Sequence, residues 1–150
     1  MKQHQGQSLQ EVRPRRPFSV TMLAVGVLTI AGIHLIRLLQ AIQNWGFLAE
    51  LPGVSPLYLA LTGFFWAAAG IPLGLALLLG LPAAPAVARL MAAVYTIYYW
   101  SNRLFAAYTA GSFQASGFAW GFAALLTVLF LGWVLWILSR PRIKAYFRRN

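Results

Sequence analysis

The chain has 150 residues, of which 60% are apolar and only 9% are charged, and twelve basic residues against two acidic ones give it a net charge of +10. Soluble domains carry roughly a quarter of charged residues, so this composition excludes a water-soluble fold and indicates a membrane protein. The absence of cysteine excludes disulfides, thiolate metal sites and cysteine catalysis. Because the basic residues lie beside apolar runs, we expect the lipid bilayer as a partner and no nucleic acid.

The predicted fold class is all-α, a polytopic membrane protein with one four-helix transmembrane domain over residues 18–138. Residues 1–17 are polar and basic and predict a disordered cytoplasmic tail. Each of four apolar runs is long enough to cross a hydrocarbon core of ~30 Å at ~1.5 Å per helical residue. The predicted spans are 18–41, 57–79, 86–108 and 117–138.

The connections between the predicted spans differ in length. The first, at residues 43–56, is still rather apolar and predicts a short turn in the membrane interface, whereas the other two are tight. Residues 139–150 predict a basic cytoplasmic tail, which includes Ile143, Tyr146 and Phe147. This tail leaves two possibilities open, an amphipathic segment on anionic lipid or a solvated tail that only fixes the topology.

Arginine and lysine predict the orientation of the chain in the membrane. If the chain crosses four times, ten of the twelve basic residues fall on one side and the loops on the other side contain none. These ten are Lys2, Arg13, Arg15, Arg16, Arg89, Arg140, Arg142, Lys144, Arg148 and Arg149. Both termini are therefore expected in the cytoplasm, since an odd number of spans would separate the two basic tails.

A short pattern occurs twice in the chain. Residues 62–67 read TGFFWA and residues 116–121 read SGFAWG, and each copy follows an Arg-Leu pair, at Arg37 and at Arg103. The pattern predicts two similar helical hairpins in tandem, related by an axis along the membrane normal. This internal repeat pairs Arg37 with Arg103 and His34 with Trp100.

Small residues form stripes on the predicted helices. Gly70 and Gly74 make a GxxxG pattern on the second span, and Gly117, Gly121 and Ala124 form a similar stripe on the fourth. Because small residues allow close helix packing in lipid, we expect these stripes to pack helices within the chain, with a homodimer as the alternative.

The few polar groups inside the spans predict the functional site. His34, Arg37 and Gln40 follow helical spacing on the first span, and Tyr95, Tyr99 and Arg103 do so on the third, all toward the end away from the basic tails. An arginine in a span either snorkels to the headgroups or faces the bundle interior. The candidate anion-binding, lipid-binding or structural cluster is His34, Arg37, Glu50, Trp66, Tyr95, Tyr99, Arg103 and Trp120.

The residues that are missing restrict the function. No carboxylate lies within a span, and no set of histidines, carboxylates or nucleophiles can be assembled into a catalytic or metal site, so we expect no enzyme, metal or cofactor. The expected function is a non-enzymatic accessory or assembly subunit of a membrane complex. The alternative is a small transporter or binding protein for an anionic or amphipathic ligand, with an outward-facing pocket of Arg, His and Tyr.

The layout of the whole chain, with four apolar runs between two basic tails, resembles small four-helix bacterial membrane proteins. This resemblance implies a multi-pass protein of the bacterial cytoplasmic membrane and brings no activity with it.

Overall fold

The computed structural model describes residues 17–109 and 117–148 and is all-α over these ranges. The described helices are α1 (Phe18–Gln43), α2 (Trp45–Glu50), α3 (Pro56–Leu79), α4 (Ala84–Thr109), α5 (Gly117–Ser139) and α6 (Pro141–Arg148). The predicted tail at 1–17 and the turn at 110–116 fall outside the described residues, except for Pro17.

Three of the described helices, α1, α3 and α5, are long and apolar enough to cross a membrane, and they indicate a multi-pass membrane protein. The fourth predicted span corresponds to α4, which is as long as α1 at 26 residues. It is less apolar because it carries Arg89, Asn102 and Arg103 together with several tyrosines. α4 is therefore long enough to cross a membrane, but it is not apolar enough to be counted among the candidate spans.

The closest helix pair is α1 with α3, and glycines on α3 make the close approach possible. A Cβ atom at Gly63 would lie 2.9 Å from the His34 carbonyl oxygen and 3.0 Å from the Leu38 amide nitrogen. A Cβ at Gly70 would lie 2.8 Å from Ala31 Cβ. The small-residue stripe of α3 therefore packs helices within the chain, as expected from the sequence.

Local signals explain where α3 begins and ends. Ser55 caps its start by accepting a hydrogen bond from the Tyr58 amide, and Pro56 occupies the first turn, where its missing N–H costs nothing. Gly80 ends the helix with a φ of 72°, while the Leu81 amide donates to the Ala76 carbonyl. This is a Schellman motif, in which glycine is the residue best able to adopt the left-handed conformation.

The best-packed part of the core lies at one end of the bundle, which we call the basic end because α6 and Arg89 lie there. Every long helix contributes to it, and so does α6. The buried side chains are Val20, Leu23, Ala24, Leu73, Leu77, Ala84, Ala88, Val134, Ile137, Leu138, Ile143, Tyr146 and Phe147. Arg89 Nη2 donates to the Leu138 carbonyl oxygen over 2.9 Å and so satisfies an acceptor at the end of α5.

The C-terminal segment is an amphipathic helix whose apolar face packs on the bundle. Residues 141–148 form α6, whose side chains Ile143, Tyr146 and Phe147 are buried against the bundle and not inserted into lipid or solvated. The Tyr146 hydroxyl donates to the Leu78 carbonyl oxygen over 3.4 Å. Arg142 and Lys144 are exposed on the other face, so the apolar face of α6 closes the basic end of the bundle.

Packing between α4 and α5 is much looser than packing between α1 and α3. Gly117, Gly121 and Gly132 are exposed, and a Cβ at any of them would meet no described atom within 4 Å. Gly117 and Gly121 of the predicted stripe therefore do not pack against the described helices, in contrast to what the sequence predicted for them, while Ala124 is half-buried. The two helices converge at the basic end and leave a groove toward the other end, which we call the far end.

The α1–α3 contact can be tested by adding one methyl group. Gly63→Ala would place Cβ against backbone atoms that cannot rotate away, so we expect it to lower the free energy of unfolding by about 1–3 kcal/mol. Gly32→Ala on α1 is the control, because no atom lies within 4 Å of the added methyl group. Thermal unfolding in detergent would measure both, and equal stability of the two variants would contradict the packing described here.

Candidate functional site

His34 on α1 is enclosed by aromatic rings from two other helices. Its side chain is only 3% exposed. Its ring centroid lies 6.1 Å from that of Trp66 on α3, 5.9 Å from that of Tyr95 and 6.3 Å from that of Tyr98, both on α4. Trp66 in turn makes an edge-to-face contact with Tyr95 at 4.8 Å. These contacts join the α1–α3 pair to α4, and aromatic pairs of this kind contribute about 0.5–1.5 kcal/mol each.

Two polar atoms inside this aromatic cluster have no hydrogen-bond partner among the described residues. They are His34 Nδ1 and the Tyr98 hydroxyl, both of which are buried. The Tyr58 and Tyr98 hydroxyls lie close enough to influence one another, but their geometry does not form a hydrogen bond. Tyr58 instead donates to Asn102 Oδ1 over 3.2 Å, which links α3 to α4.

Arg37 lies one helical turn beyond His34 and is half-buried. Its positive charge acts on His34, Tyr58 and Tyr95, so these groups form one polar neighbourhood toward the far end of α1, α3 and α4. Glu50 is exposed at the end of α2.

Arg103 belongs to a different neighbourhood, between α4 and α5. Its Nη1 donates to the Tyr99 hydroxyl over 2.9 Å, and its Nη2 donates to the Ala119 carbonyl oxygen over 3.2 Å. Its guanidinium carbon lies 4.8 Å from the centre of the Trp120 ring, which is a cation–π contact. The contacts that the structure shows for Arg103 are therefore a tyrosine hydroxyl, a backbone carbonyl and the face of Trp120, and Glu50 is not among them.

A groove with a volume of about 530 Å³ separates α4 from α5. Arg103 and Tyr99 line the part of the groove nearest the far end of the bundle, and Phe130 lines the opposite part. The remaining lining is mostly aromatic and aliphatic, with two threonine hydroxyls: Tyr95, Thr96, Phe118, Ala119, Phe122, Ala123, Leu126 and Thr127. Ligand sites of proteins have volumes of roughly 300–1,000 Å³ and combine apolar walls with a few polar groups, and this groove fits that description.

A second, smaller cavity of about 70 Å³ lies in the centre of the bundle, between α1, α3, α4 and α5. Its walls are apolar and include Ala31, Gly70, Met91 and Ala92. Tyr95 and Phe130 line both this central cavity and the groove, so the two spaces adjoin.

The predicted site residues are distributed over the groove and the aromatic cluster around His34, and Tyr95 belongs to both. Tyr95, Tyr99 and Arg103 line the groove, and Trp120 packs on Arg103 beside it. His34 and Arg37 line neither of these two spaces, so the pocket expected to join both arginines stays a prediction. Tyr98 was missed, although it follows Tyr95 by three residues and hence lies on the same helix face.

Two ring pairs occupy equivalent positions of the internal repeat. His34 and Trp66 lie 6.1 Å apart with an angle of 36° between their planes. Trp100 and Trp120, which the repeat aligns with them, lie 5.9 Å apart with an angle of 34°. The helix pairs α1–α3 and α4–α5 therefore both contain a ring contact at the aligned positions, whereas the glycine contacts of α3 have no equivalent among the described residues of α4 and α5.

Comparison with known proteins gives no relative from which a function could be transferred, since no protein-family model, curated protein or solved structure matches the chain.

The two tyrosines Tyr58 and Tyr98 allow a matched test of the polar contacts. Tyr98→Phe removes a buried hydroxyl that has no partner, so we expect unchanged or higher stability, by up to about 1–3 kcal/mol. Tyr58→Phe removes a hydroxyl that donates to Asn102, so we expect a loss of about 1 kcal/mol. Thermal unfolding in detergent would compare them. A destabilising Tyr98→Phe would mean that this hydroxyl has a partner in the folded protein.

Proposed function

We propose that α4 is the fourth membrane span and that both termini lie in the cytoplasm of a bacterial cell, with the protein in the cytoplasmic membrane. The supporting observation is the composition of the core at the basic end. Val20 at the start of α1, Leu77 at the end of α3, Leu138 at the end of α5 and Phe147 on α6 all belong to it. The start of α1 and the ends of α3 and α5 thus lie at the same end of the bundle. If α1, α3 and α5 cross the membrane, the chain leaves α3 on one side and enters α5 on the other. The helix between them, α4, then has to cross as well.

The charges and polar contacts support the same topology. Arg89, Arg140, Arg142 and Lys144 lie at this end, which agrees with the excess of basic residues that cytoplasmic segments carry. The polar side chains of α4 find partners on neighbouring helices, as intramembrane polar groups do, and Arg103 bonded to the Ala119 carbonyl is an example. The matching ring pairs of the two hairpins favour the tandem repeat.

As a function, we propose that the protein binds an anionic amphipathic ligand in the groove between α4 and α5, as a non-enzymatic binding protein or small transporter. The observation that supports this function is the position of Arg103, a cation at the far end of an otherwise apolar space of about 530 Å³. A guanidinium has five donor hydrogens. In Arg103, two of the nitrogens that carry them donate to protein groups, one to the Tyr99 hydroxyl and one to the Ala119 carbonyl. An anionic head at Arg103, with its apolar part between α4 and α5, matches both regions of the groove.

A second candidate function is an accessory or assembly subunit of a membrane complex. One specific observation favours it, namely the exposed glycines Gly121 and Gly132 on α5, whose surroundings among the described residues are open. Small residues on a lipid-facing helix allow another helix to approach closely, either from a partner subunit or from a second copy of this chain. Native mass spectrometry of the solubilised protein would separate the two functions, because a co-purifying protein supports the subunit and a retained amphiphile supports the binding protein.

The topology can be tested with single cysteines, because the chain has none of its own. Ala49→Cys on α2 and Ala145→Cys on α6 place a thiol at exposed positions near opposite ends of the bundle. With four spans, a membrane-impermeant maleimide should label Ala49→Cys in intact cells or spheroplasts and Ala145→Cys only after permeabilisation. Labelling of both in intact cells would instead indicate three spans and contradict the proposal.

The binding function predicts a specific loss in Arg103→Leu. A hydrogen-bonded charge contributes about 1.5–3 kcal/mol, so we expect affinity for hexadecyl phosphate to fall roughly ten- to hundredfold. Isothermal titration calorimetry in neutral maltoside micelles would measure it. Arg142→Leu removes an exposed charge on α6 and should leave the affinity unchanged, which controls for net charge. Equal affinities for wild type and Arg103→Leu would refute the proposed site.

A further inference from the structure

The groove and the central cavity lie end to end along α4 and α5. Passing down α4 from Arg103, the groove reaches Tyr95, and the central cavity continues to Ala88. At ~1.5 Å per residue, Tyr95 is about 12 Å below Arg103 and Ala88 is about 22 Å below it. An extended chain with its head at Arg103 that is longer than the groove therefore reaches the central cavity.

The central cavity is suited to the end of such a chain. It is apolar, and an apolar cavity remains free of water and accepts an apolar group. Its volume of about 70 Å³ is much smaller than that of the groove, so it has room for the end of one chain and not of two. Tyr95 and Phe130 lie at the boundary between the two spaces, because both side chains line both of them.

We propose that the ligand is a single-chain anionic amphiphile and that the end of its chain enters the central cavity between Tyr95 and Phe130. This inference rests on the proposed function and adds the ligand class and the residues that select chain length. Chains that end within the groove gain no contact with the central cavity. Longer chains bury additional methylene groups there, each of which strengthens binding, until the cavity is full.

Ala92 provides the variant that tests this inference. It lines the central cavity and is absent from the groove, so Ala92→Leu fills part of the cavity and leaves the head site intact. Ala93→Leu is the matched control, because the neighbouring position is exposed and lines neither cavity. The probes are n-alkyl phosphates from octyl to octadecyl, with fatty acids of the same lengths as a second arm that compares phosphate with carboxylate heads.

In wild-type protein and in Ala93→Leu, we expect affinity in neutral maltoside micelles to rise with chain length and then level off. In Ala92→Leu, affinity for the longest phosphates should fall roughly tenfold or more, because a few buried methylene groups are lost, while octyl phosphate binds as before. Retained binding of octyl phosphate also shows that Ala92→Leu is folded. Met91→Ala enlarges the same cavity and should move the preferred length upward, which provides a test if Ala92→Leu does not fold.

The remaining outcomes separate this inference from the proposed function. Binding that depends on Arg103 but does not change with chain length, or that Ala92→Leu leaves unchanged at every length, overturns the chain-length inference and leaves the proposed function standing. Absence of binding of all the phosphates and fatty acids to wild-type protein overturns both.

Discussion

At Gly63 no side chain separates the backbones of α1 and α3, because a Cβ there would lie 2.9 Å from the His34 carbonyl oxygen. In lipid there is no hydrophobic force between helices, so close packing of this kind is a main source of their association. The contact also fixes the positions of the side chains around it. Trp66, three residues beyond Gly63 on α3, contacts the His34 ring, and through Trp66 and Tyr95 the α1–α3 pair provides the surface against which α4 lies.

The position of α4 depends on a different kind of interaction. It lacks the glycine contacts of α3 and is connected to its neighbours by polar links near its two ends. Arg89 donates to the Leu138 carbonyl at the basic end, while Arg103 and Asn102 bond to Ala119 and Tyr58 toward the far end. The space that remains between these links is the central cavity and the groove. The residues that make α4 the least apolar long helix are thus the ones that hold it in place.

Hydrophobic runs predicted the long helices of the described chain to within a few residues, because length and apolar composition determine where a helix can span a membrane. The polar cluster was predicted less well. Helical spacing identified His34 and Arg37 on one helix and Tyr99 and Arg103 on another, but it could not show that the two arginines serve different neighbourhoods. Which helices surround each arginine depends on how α1, α4 and α5 are placed in space, and no local sequence pattern specifies that placement. For the same reason the sequence did not reveal that Ile143, Tyr146 and Phe147 would pack beneath the bundle, since their spacing fits lipid or protein equally well.

The helix pairs α1–α3 and α4–α5 carry the same short sequence pattern but differ in how closely their helices pack, and the ring that contacts the tryptophan differs as well. In the first hairpin Trp66 contacts the small ring of His34, and Gly63 reaches the backbone of α1. In the second, the position equivalent to His34 is Trp100, so two indole rings lie between α4 and α5, and Arg103 is stacked on one of them. A second indole and a stacked guanidinium occupy more space than one imidazole, and no glycine contact like that of Gly63 exists among the described residues of α4 and α5. The glycines of α5 remain uncovered by the described helices. Large rings thus accompany the open groove between α4 and α5, whereas a small ring and a glycine accompany the close packing of α1 and α3.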